Sequence, residues 1–208
     1  MEILGVTRHE VVAAFYPDVD DSTTNVVATA HRAGHGWSIV GNTTIGTDLV
    51  ASFKRSIYQG PGPSGLLVAS HLRLDVEPLF QQSGYAKALL TQSFALYKRL
   101  KVAYVELNAV EDGALVWPRL GWSLHGPSIS EVHAEIIYTY AGRHGVRPPA
   151  SFQLPIFGPD ILELEDGTGW RVGEEALKNF ARSNREISMR LYLSSHRAIA
   201  SLSRRGMV

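Results

Sequence analysis

The sequence has no cysteine among its 208 residues. This absence excludes disulfide bonds, thiolate nucleophiles and cysteine-based zinc sites, and it fits a reducing compartment. Apolar residues make up 45% of the chain, but no uninterrupted run reaches the roughly eighteen residues that a membrane span needs. The first residues, MEILGVTRHEVV, lack a basic stretch followed by a long apolar one. We therefore expect a cytoplasmic protein with no membrane partner.

The sequence also has no excess charge of either sign, because 20 basic residues balance 20 acidic ones. A neutral chain favours neither nucleic acid nor acidic partners as a whole. The C-terminal part differs, because Glu186 is its only acidic residue from position 178 onward. Its basic residues are Lys178, Arg182, Arg185, Arg190, Arg197, Arg204 and Arg205. This bias predicts a weak contact with nucleic acid; the alternative is a solvated helical face that balances the acidic residues 163–166.

Three β-rich stretches follow one another in the first half of the chain: WSIVGN, DLVASFKRSIY and LLVASHLRLDV. Their alternation and β-branched content predict neighbouring strands. The loop QGPGPSG at 59–65 joins the last two, since prolines and glycines at that density do not fit inside a sheet. Residues up to about 30 are predicted to be helical or mixed.

A helix is predicted from about Gly84 to Leu100, because apolar residues recur there every three to four positions. Pro78 stops the strand before it, and KVAYVELNAV at 101–110 reads as the strand after it. A strand, a helix and a second strand form a βαβ unit, whose two strands run parallel. The fold class is therefore α/β (α+β), with a mixed, mostly antiparallel central sheet and one parallel strand pair.

The second half of the chain indicates mainly helices. A short helix is predicted over Glu111–Leu120, another over EVHAEIIYTYAGRHG, and one or two more over residues 173–205. We expect residues 1–125 to form the core and residues 126–208 to form either part of the same domain or a mainly helical extension. The sequence leaves a homodimer open.

The stretch VEPLFQQSGYAKALL, from Val76 to Leu90, carries the main functional signal. A strand stops here, and a helix begins just after a glycine. Backbone amides that point into one cavity at the start of a helix bind anions, helped by the positive end of the helix dipole. A pyrophosphate would suit such a site. The alternative is an ordinary strand-to-helix turn that carries a glycine.

This stretch resembles the signature of the GNAT superfamily of acyl-CoA N-acyltransferases, Q/R-x-x-G-x-G/A. A strand end and V-x-P turn precede the signature, and an aliphatic helix follows it. The next strand leads into NAVEDGALVWPRLGW, which is similar to a second landmark of the family. The matching residues are Gln81-Gln82-Ser83-Gly84-Tyr85-Ala86, preceded by Val76-Glu77-Pro78, and then Asn108, Gly121 and Trp122.

The resemblance implies a GNAT-like fold whose parallel strands splay apart, with acetyl-CoA or another acyl-CoA as co-substrate. An amine-bearing acceptor would attack the thioester directly. The acceptor is a small molecule, a protein or a modified nucleobase, and the sequence does not choose among them. The implied cofactor-binding residues are Val76, Gln81, Gln82, Ser83, Gly84, Tyr85, Ala86 and Lys87.

The predicted catalytic residues are His71, Glu106 and Asn108. An imidazole near pKa 6.5 is well matched to taking a proton from an ammonium group. Glu106 and Asn108 share one face of their strand by alternation, and Asn108 is the strand-end asparagine of the family. The alternatives are a satisfied or surface histidine at 71 and an outward-facing glutamate at 106. No pair of histidines combines i, i+4 spacing with a carboxylate, so no metal site is expected.

One position departs from the family pattern. Trp117 stands where a tyrosine commonly acts as general acid, and an indole N–H cannot deliver a proton in that way. Tyr85, Tyr138 or a water replaces it, or the activity is lost. The sequence thus predicts an N-acetyltransferase. The alternatives are an inactive GNAT-like binding module and a nucleic-acid-associated protein that uses the basic C-terminal part.

Overall fold

The computed structural model of the chain describes residues 2–3, 5–15, 24–33, 36–60, 65–81 and 84–208. The chain divides into two compact units. The first unit comprises Met1–Val105 together with Ser203–Val208, and the second comprises Glu106–Leu202. The predicted boundary near residue 125 stays a prediction.

The first unit is built on antiparallel strands. A short strand pair at its start leads into a helix, and four long strands follow, which lie in chain order in the sheet, each antiparallel to its neighbour. The elements are β1 (Glu2–Ile3), β2 (Val6–Thr7), α1 (Arg8–Ala13), β3 (Thr24–Ala33), β4 (Gly36–Ile45), β5 (Asp48–Gln59) and β6 (Leu67–Val76).

The structure confirms all three predicted strands as β4, β5 and β6. Residues up to about 30 were expected to be helical or mixed; α1 is short, and a ten-residue strand already begins at Thr24. The run VVATA in β3 explains this, because β-branched residues favour extended backbone.

The βαβ unit is also confirmed. After β6, one turn of 3₁₀ helix (Pro78–Phe80) leads into α2 (Tyr85–Arg99), and β7 (Tyr104–Ala109) follows. The backbone N–H of Ala103 donates to the carbonyl of Leu67 at 2.8 Å, so the chain just before β7 lies beside the start of β6. The parallel direction of the two strands stays a prediction. The predicted splay of these strands stays a prediction.

The core of the first unit lies between the long strands and the apolar faces of α1 and α2. The ring of Phe15, just after α1, lies 5.9 Å from that of Phe53 on β5 and 6.4 Å from that of Tyr97 on α2. All three side chains are buried. Burying a side chain of this size contributes about 1.5–3 kcal/mol to stability.

The second unit contains most of β7 and two further strands, which pair antiparallel with each other; the later of these two in the chain is also the neighbour of β7. Five helices surround these strands. The elements after β7 are α3 (Gly113–Arg119), β8 (Ser123–Leu124), α4 (Ser128–His144), α5 (Gly158–Leu162), α6 (Val172–Arg182), β9 (Ile187–Tyr192) and α7 (His196–Ser203).

The fold class is mixed α/β, as predicted. The short helix before Gly121 and the helix ending at Gly145 are confirmed as α3 and α4. Residues 173–205 were expected to form one or two helices, and two do form there, but β9 lies between them. Residues 187, 189 and 191 of β9 are buried, which is the period of a strand with one face in a core.

Candidate functional site

The turn between β6 and α2 positions the predicted cofactor site. Val76 is the last residue of β6, and Pro78 begins the 3₁₀ turn that follows. The side-chain amide of Gln81 donates to the carbonyl of Val76 at 3.3 Å. This bond lies across the base of the turn, so the signature glutamine stabilises the turn itself.

Gly84 caps the start of α2 with a left-handed backbone, φ +87° and ψ −4°. A side chain would cost roughly 1–2 kcal/mol in that conformation. A Cβ placed on Gly84 would have no neighbouring atom within 4 Å. The turn therefore requires glycine for its backbone angle, and it leaves open space beside that backbone.

Among the described residues, the first turn of α2 lacks the groups that usually satisfy a helix start. No side chain of these residues caps it, and it contains no acidic residue. By contrast, Thr7 and Glu10 form a full capping box on α1. The first turn of α2 instead contains the exposed Lys87. A positive dipole end that carries a cation and no acid favours an anion.

The C-terminal segment lies next to this helix start, within the first unit. A Cβ on Gly206 would come within 3.5 Å of Nζ of Lys87. Arg204 and Arg205 immediately precede Gly206 and are exposed, while Met207 is buried and anchors the segment. The segment adds basic residues close to Lys87.

The predicted cofactor-binding residues thus divide into three groups. Val76, Gln81 and Gly84 shape the turn, and the exposed Lys87 and half-buried Ala86 lie in the first turn of α2. Gln82 and Ser83 lie outside the described residues, so their predicted contact with a pyrophosphate stays a prediction. The eighth residue, Tyr85, belongs to none of these groups because its side chain is buried.

The side chain of Tyr85 lies in the core and is only 5% exposed. Its hydroxyl is 2.6 Å from Oγ1 of Thr43, a buried residue of β4. Burial raises the pKa of Tyr85, although the bond to Thr43 and the nearby Arg55 oppose this rise. A buried phenol with a raised pKa is a weaker proton donor, so Tyr85 as a substitute general acid stays a prediction.

His71 lies in the same core, on β6. Its Nε2 is 2.9 Å from the hydroxyl of Tyr97 on α2, and the imidazole is 5% exposed. Burial, with a smaller effect from Arg55, holds the pKa of His71 well below its ordinary value. His71 is therefore neutral near pH 7, and its role as the base stays a prediction.

Arg55 is the residue that the sequence analysis did not single out. It faces His71 across β5 and β6 and is fully buried. Its Nη1 donates to the backbone carbonyls of Lys54 (2.9 Å) and Arg73. One signal was available in the sequence: Phe53, Arg55 and Ile57 alternate along β5, which places a charged residue on an apolar face.

Glu106 and Asn108, the two other predicted catalytic residues, belong to the second unit. Nη2 of Arg190 on β9 donates to the Glu106 carboxylate at 3.1 Å, and both side chains are half-buried. The Asn108 amide donates to Glu186 at 3.2 Å and accepts from the Ser188 hydroxyl at 2.9 Å. Both residues thus form hydrogen bonds with residues of β9. Their catalytic roles stay predictions.

The identity of the general acid stays a prediction. Trp117 on α3 is half-buried, and its ring lies 5.2 Å from that of Trp122. Tyr138, the other tyrosine considered, lies on α4 and is 74% exposed.

The described residues contain no group of three or more histidine or acidic side chains arranged to hold a metal ion. Among the helices in the described ranges, none combines the length and the hydropathy that crossing a membrane requires.

No protein-family model and no curated protein matches the chain. Among solved structures, the chain is similar to a Bacillus subtilis acetyltransferase in complex with CoA. The two are 11% identical, the alignment covers 75% of this chain and 77% of that one, and the TM-score is 0.29. This likeness is too weak to support a functional assignment.

Proposed function

We propose that this protein is an acyl-CoA-dependent N-acyltransferase that transfers an acetyl group to a primary amine. The observation that carries the proposal is the first turn of α2, where a Cβ on Gly84 would meet no atom within 4 Å, no side chain of the described residues caps the helix, and Lys87 is the charged residue. The resemblance of residues 76–86 to the GNAT signature supports the same function.

The residues present fit the pyrophosphate of a CoA molecule. α2 is 15 residues long, so its dipole is well developed. A phosphate at such a helix start gains about 0.3–1 kcal/mol, and up to about 2 kcal/mol where the site is partly buried. The open space beside Gly84 lets phosphate oxygens approach the amides directly. Lys87 and the basic C-terminal segment add positive charge.

The chain would contribute binding, orientation and proton handling. Bound acetyl-CoA would supply the thioester: its acyl group would pass to the amine nitrogen, the CoA thiolate would leave, and the amine's proton would go to a base. The edge of β6 near Val76 would hold the pantetheine arm. His71 and Glu106 are the candidates to accept the amine's proton, and Asn108 is the candidate to orient the reacting groups by hydrogen bonds.

Calorimetric titration with acetyl-CoA, CoA and ATP tests the proposal. We expect the unmodified protein to bind acetyl-CoA and Gly84→Glu, which places a carboxylate in the phosphate site, to lose that binding. Gly145→Glu is the matched control. Gly145 ends α4 in the second unit with φ +70° and no atom within 4 Å of a Cβ, so the substitution causes similar backbone strain elsewhere.

Each result has a definite meaning. Loss of binding in Gly84→Glu but not in Gly145→Glu, with both variants folded, supports the site. No binding by the unmodified protein, or equal loss in both variants, contradicts it. Transfer of the acetyl group to an amine is then measured with a panel of small amines, peptides and nucleosides.

Trp117 favours a second candidate, a GNAT-like module that binds acyl-CoA without transferring the acyl group. This candidate predicts acetyl-CoA binding that depends on Gly84 but no turnover with any amine.

The nucleic-acid alternative has less support. At least five of the seven basic residues beyond position 177 form ion pairs with acidic residues of the second unit. These five are Lys178, Arg182, Arg185, Arg190 and Arg197. Ion-paired side chains have less charge to offer a phosphate backbone. Nucleic-acid binding, if measured, should fall steeply with salt. A homodimer also stays a prediction.

A further inference from the structure

The Arg55 guanidinium is buried with part of its hydrogen-bonding capacity unused. The side chain is 0% exposed, on the same buried face of β5 as Phe53 and Ile57. Nη1 is satisfied by the carbonyls of Lys54 and Arg73. Nε and Nη2 are buried and have no hydrogen-bond partner within the described residues. Buried arginine donors are normally satisfied, so these two indicate a missing acceptor.

The charge of Arg55 also lacks a counterpart. Burial lowers the pKa of Arg55 to about 10, with Tyr97 and Tyr85 opposing the shift, so the guanidinium stays charged near pH 7. No ion pair in the described part of the chain involves Arg55. A buried cation is normally paired with an anion, because the loss of hydration is otherwise uncompensated.

The two unused donors lie on the same edge of the guanidinium plane. Nε–H and Nη2–H point in parallel, at the spacing of the two oxygens of a carboxylate. The surrounding polar groups are the neutral imidazole of His71 and the hydroxyls of Tyr85 and Tyr97. The cluster supplies donors and one cation, and none of the described residues supplies it with an anion.

We propose that the Nε–Nη2 edge of Arg55 binds the carboxylate of a small organic acid in the core of the first unit. The site is closed to solvent, so the acid is short, of the size of acetate or formate, and binds when the core opens locally. This inference is independent of the acyltransferase function, because it depends on Arg55 and its neighbours and not on the turn at Gly84.

Sodium acetate titrated into the full chain tests the proposal, with sodium chloride at equal ionic strength as the reference. Two readouts are followed: the melting temperature and the ¹H–¹⁵N resonance of the Arg55 Nε–H. We expect acetate to shift the resonance to saturation and to raise the melting temperature, because a ligand that binds the folded state stabilises it. Chloride should do neither.

Three variants identify the residue responsible. Arg55→Met should lose the acetate response, and without acetate it should be at least as stable as the unmodified protein, because an unpaired buried charge has been removed. Arg55→Lys, which lacks the two-donor edge, should bind acetate about tenfold more weakly. Arg73→Met is the matched control, since Arg73 is an exposed arginine on β6, and its acetate response should persist.

The chain's own carboxylates are the other source of the same chemistry. Asp18, Asp20 and Asp21 lie outside the described residues. If replacing all three by asparagine shifts the Arg55 resonance in acetate-free buffer, the anion is internal and the proposal is overturned. It is equally overturned if acetate and chloride act alike, or if acetate leaves the Arg55 resonance of the unmodified protein unchanged. The Arg55 resonance of the unmodified protein decides the question even if the Arg55→Met variant does not fold.

Discussion

Nε2 of His71 and the hydroxyl of Tyr97 lie 2.9 Å apart and join β6 to α2 in the core of the first unit. The imidazole is 5% exposed and the phenol is fully buried. Burial is the main cause of the lowered pKa of His71, and the cationic Arg55 lowers it further. A histidine in this position resists protonation in the folded protein but not in the unfolded one.

We therefore predict that His71 makes the protein less stable as the solution becomes more acidic. Below about pH 6.5 the unfolded chain takes up a proton at His71 that the folded chain does not. The free energy of unfolding should then fall by up to about 1.4 kcal/mol for each pH unit attributable to this residue. Urea unfolding measured between pH 7.5 and pH 4.5 gives the slope.

In the His71→Gln variant the free energy of unfolding should depend less steeply on pH, because the contribution of His71 is missing. His196→Gln is its control, because His196 is an exposed histidine at the start of α7. Identical pH dependence for His71→Gln and the unmodified protein would show that His71 is protonated alike in both states, against this prediction.

A second prediction concerns Gly41 on β4, which is paired with Phe53 on the neighbouring strand β5. The Phe53 ring occupies the place where a Cβ on Gly41 would lie. Gly41→Ala should destabilise the protein by about 1–3 kcal/mol, because the ring must move within a filled core. Thermal or urea unfolding measures the loss.

Two further variants isolate the clash. The double variant Gly41→Ala, Phe53→Leu should lose less stability than the sum of the losses in the two single variants, because the smaller side chain at 53 leaves room for the added Cβ. Gly142→Ala, in the exposed interior of α4 with nothing near a Cβ, should instead stabilise by roughly 0.5–1 kcal/mol. Additive losses in the double variant would refute the clash.

Much of the first unit could be predicted because its signals are local. Alternating apolar residues marked β5 and β6, Pro78 marked the end of β6, and the three-to-four spacing marked α2. The Gly84 turn was also predictable, since only glycine adopts its backbone angle without strain.

The features that were missed depend on long-range contacts. Strand β9 is short and lies between two helical stretches, and only its pairing with β8 shows why its alternate residues are buried. The partner of Glu106 is 84 positions away, at Arg190. Arg55 was part of a correctly predicted strand, but the sequence does not show that its face of β5 is enclosed.

A third prediction uses the Glu106–Arg190 pair. The two atoms are 3.1 Å apart, and the side chains are 27% and 22% exposed. A double-mutant cycle with Glu106→Gln and Arg190→Met should give a coupling energy of about 0.5–1 kcal/mol. This value is in the upper part of the range for ion pairs that solvent can reach. Unfolding of the four proteins provides the measurement.

The pair Asp160–Arg197 is the matched comparison within the second unit. Its side chains are 37% and 63% exposed, so water screens it more strongly. Its coupling should be the smaller of the two and should fall further in high salt. A coupling near zero for Glu106–Arg190 would mean that Arg190 does not hold the carboxylate, and it would strengthen Glu106 as a candidate base.

The last prediction depends on the proposed acyl-CoA site and compares the two ends of α2. Lys87 is exposed in its first turn and Lys98 is exposed in its last. Lys87→Glu should weaken acetyl-CoA binding about tenfold, because it places a negative charge where phosphates and the positive dipole end would meet. Lys98→Glu makes the same charge change at the opposite end and should alter the affinity by less than about twofold.

In titrations at low and high salt, the difference in acetyl-CoA affinity between the two variants should shrink as ionic strength rises. Equal losses for both variants would indicate a general effect of net charge and would remove the first turn of α2 as the phosphate site.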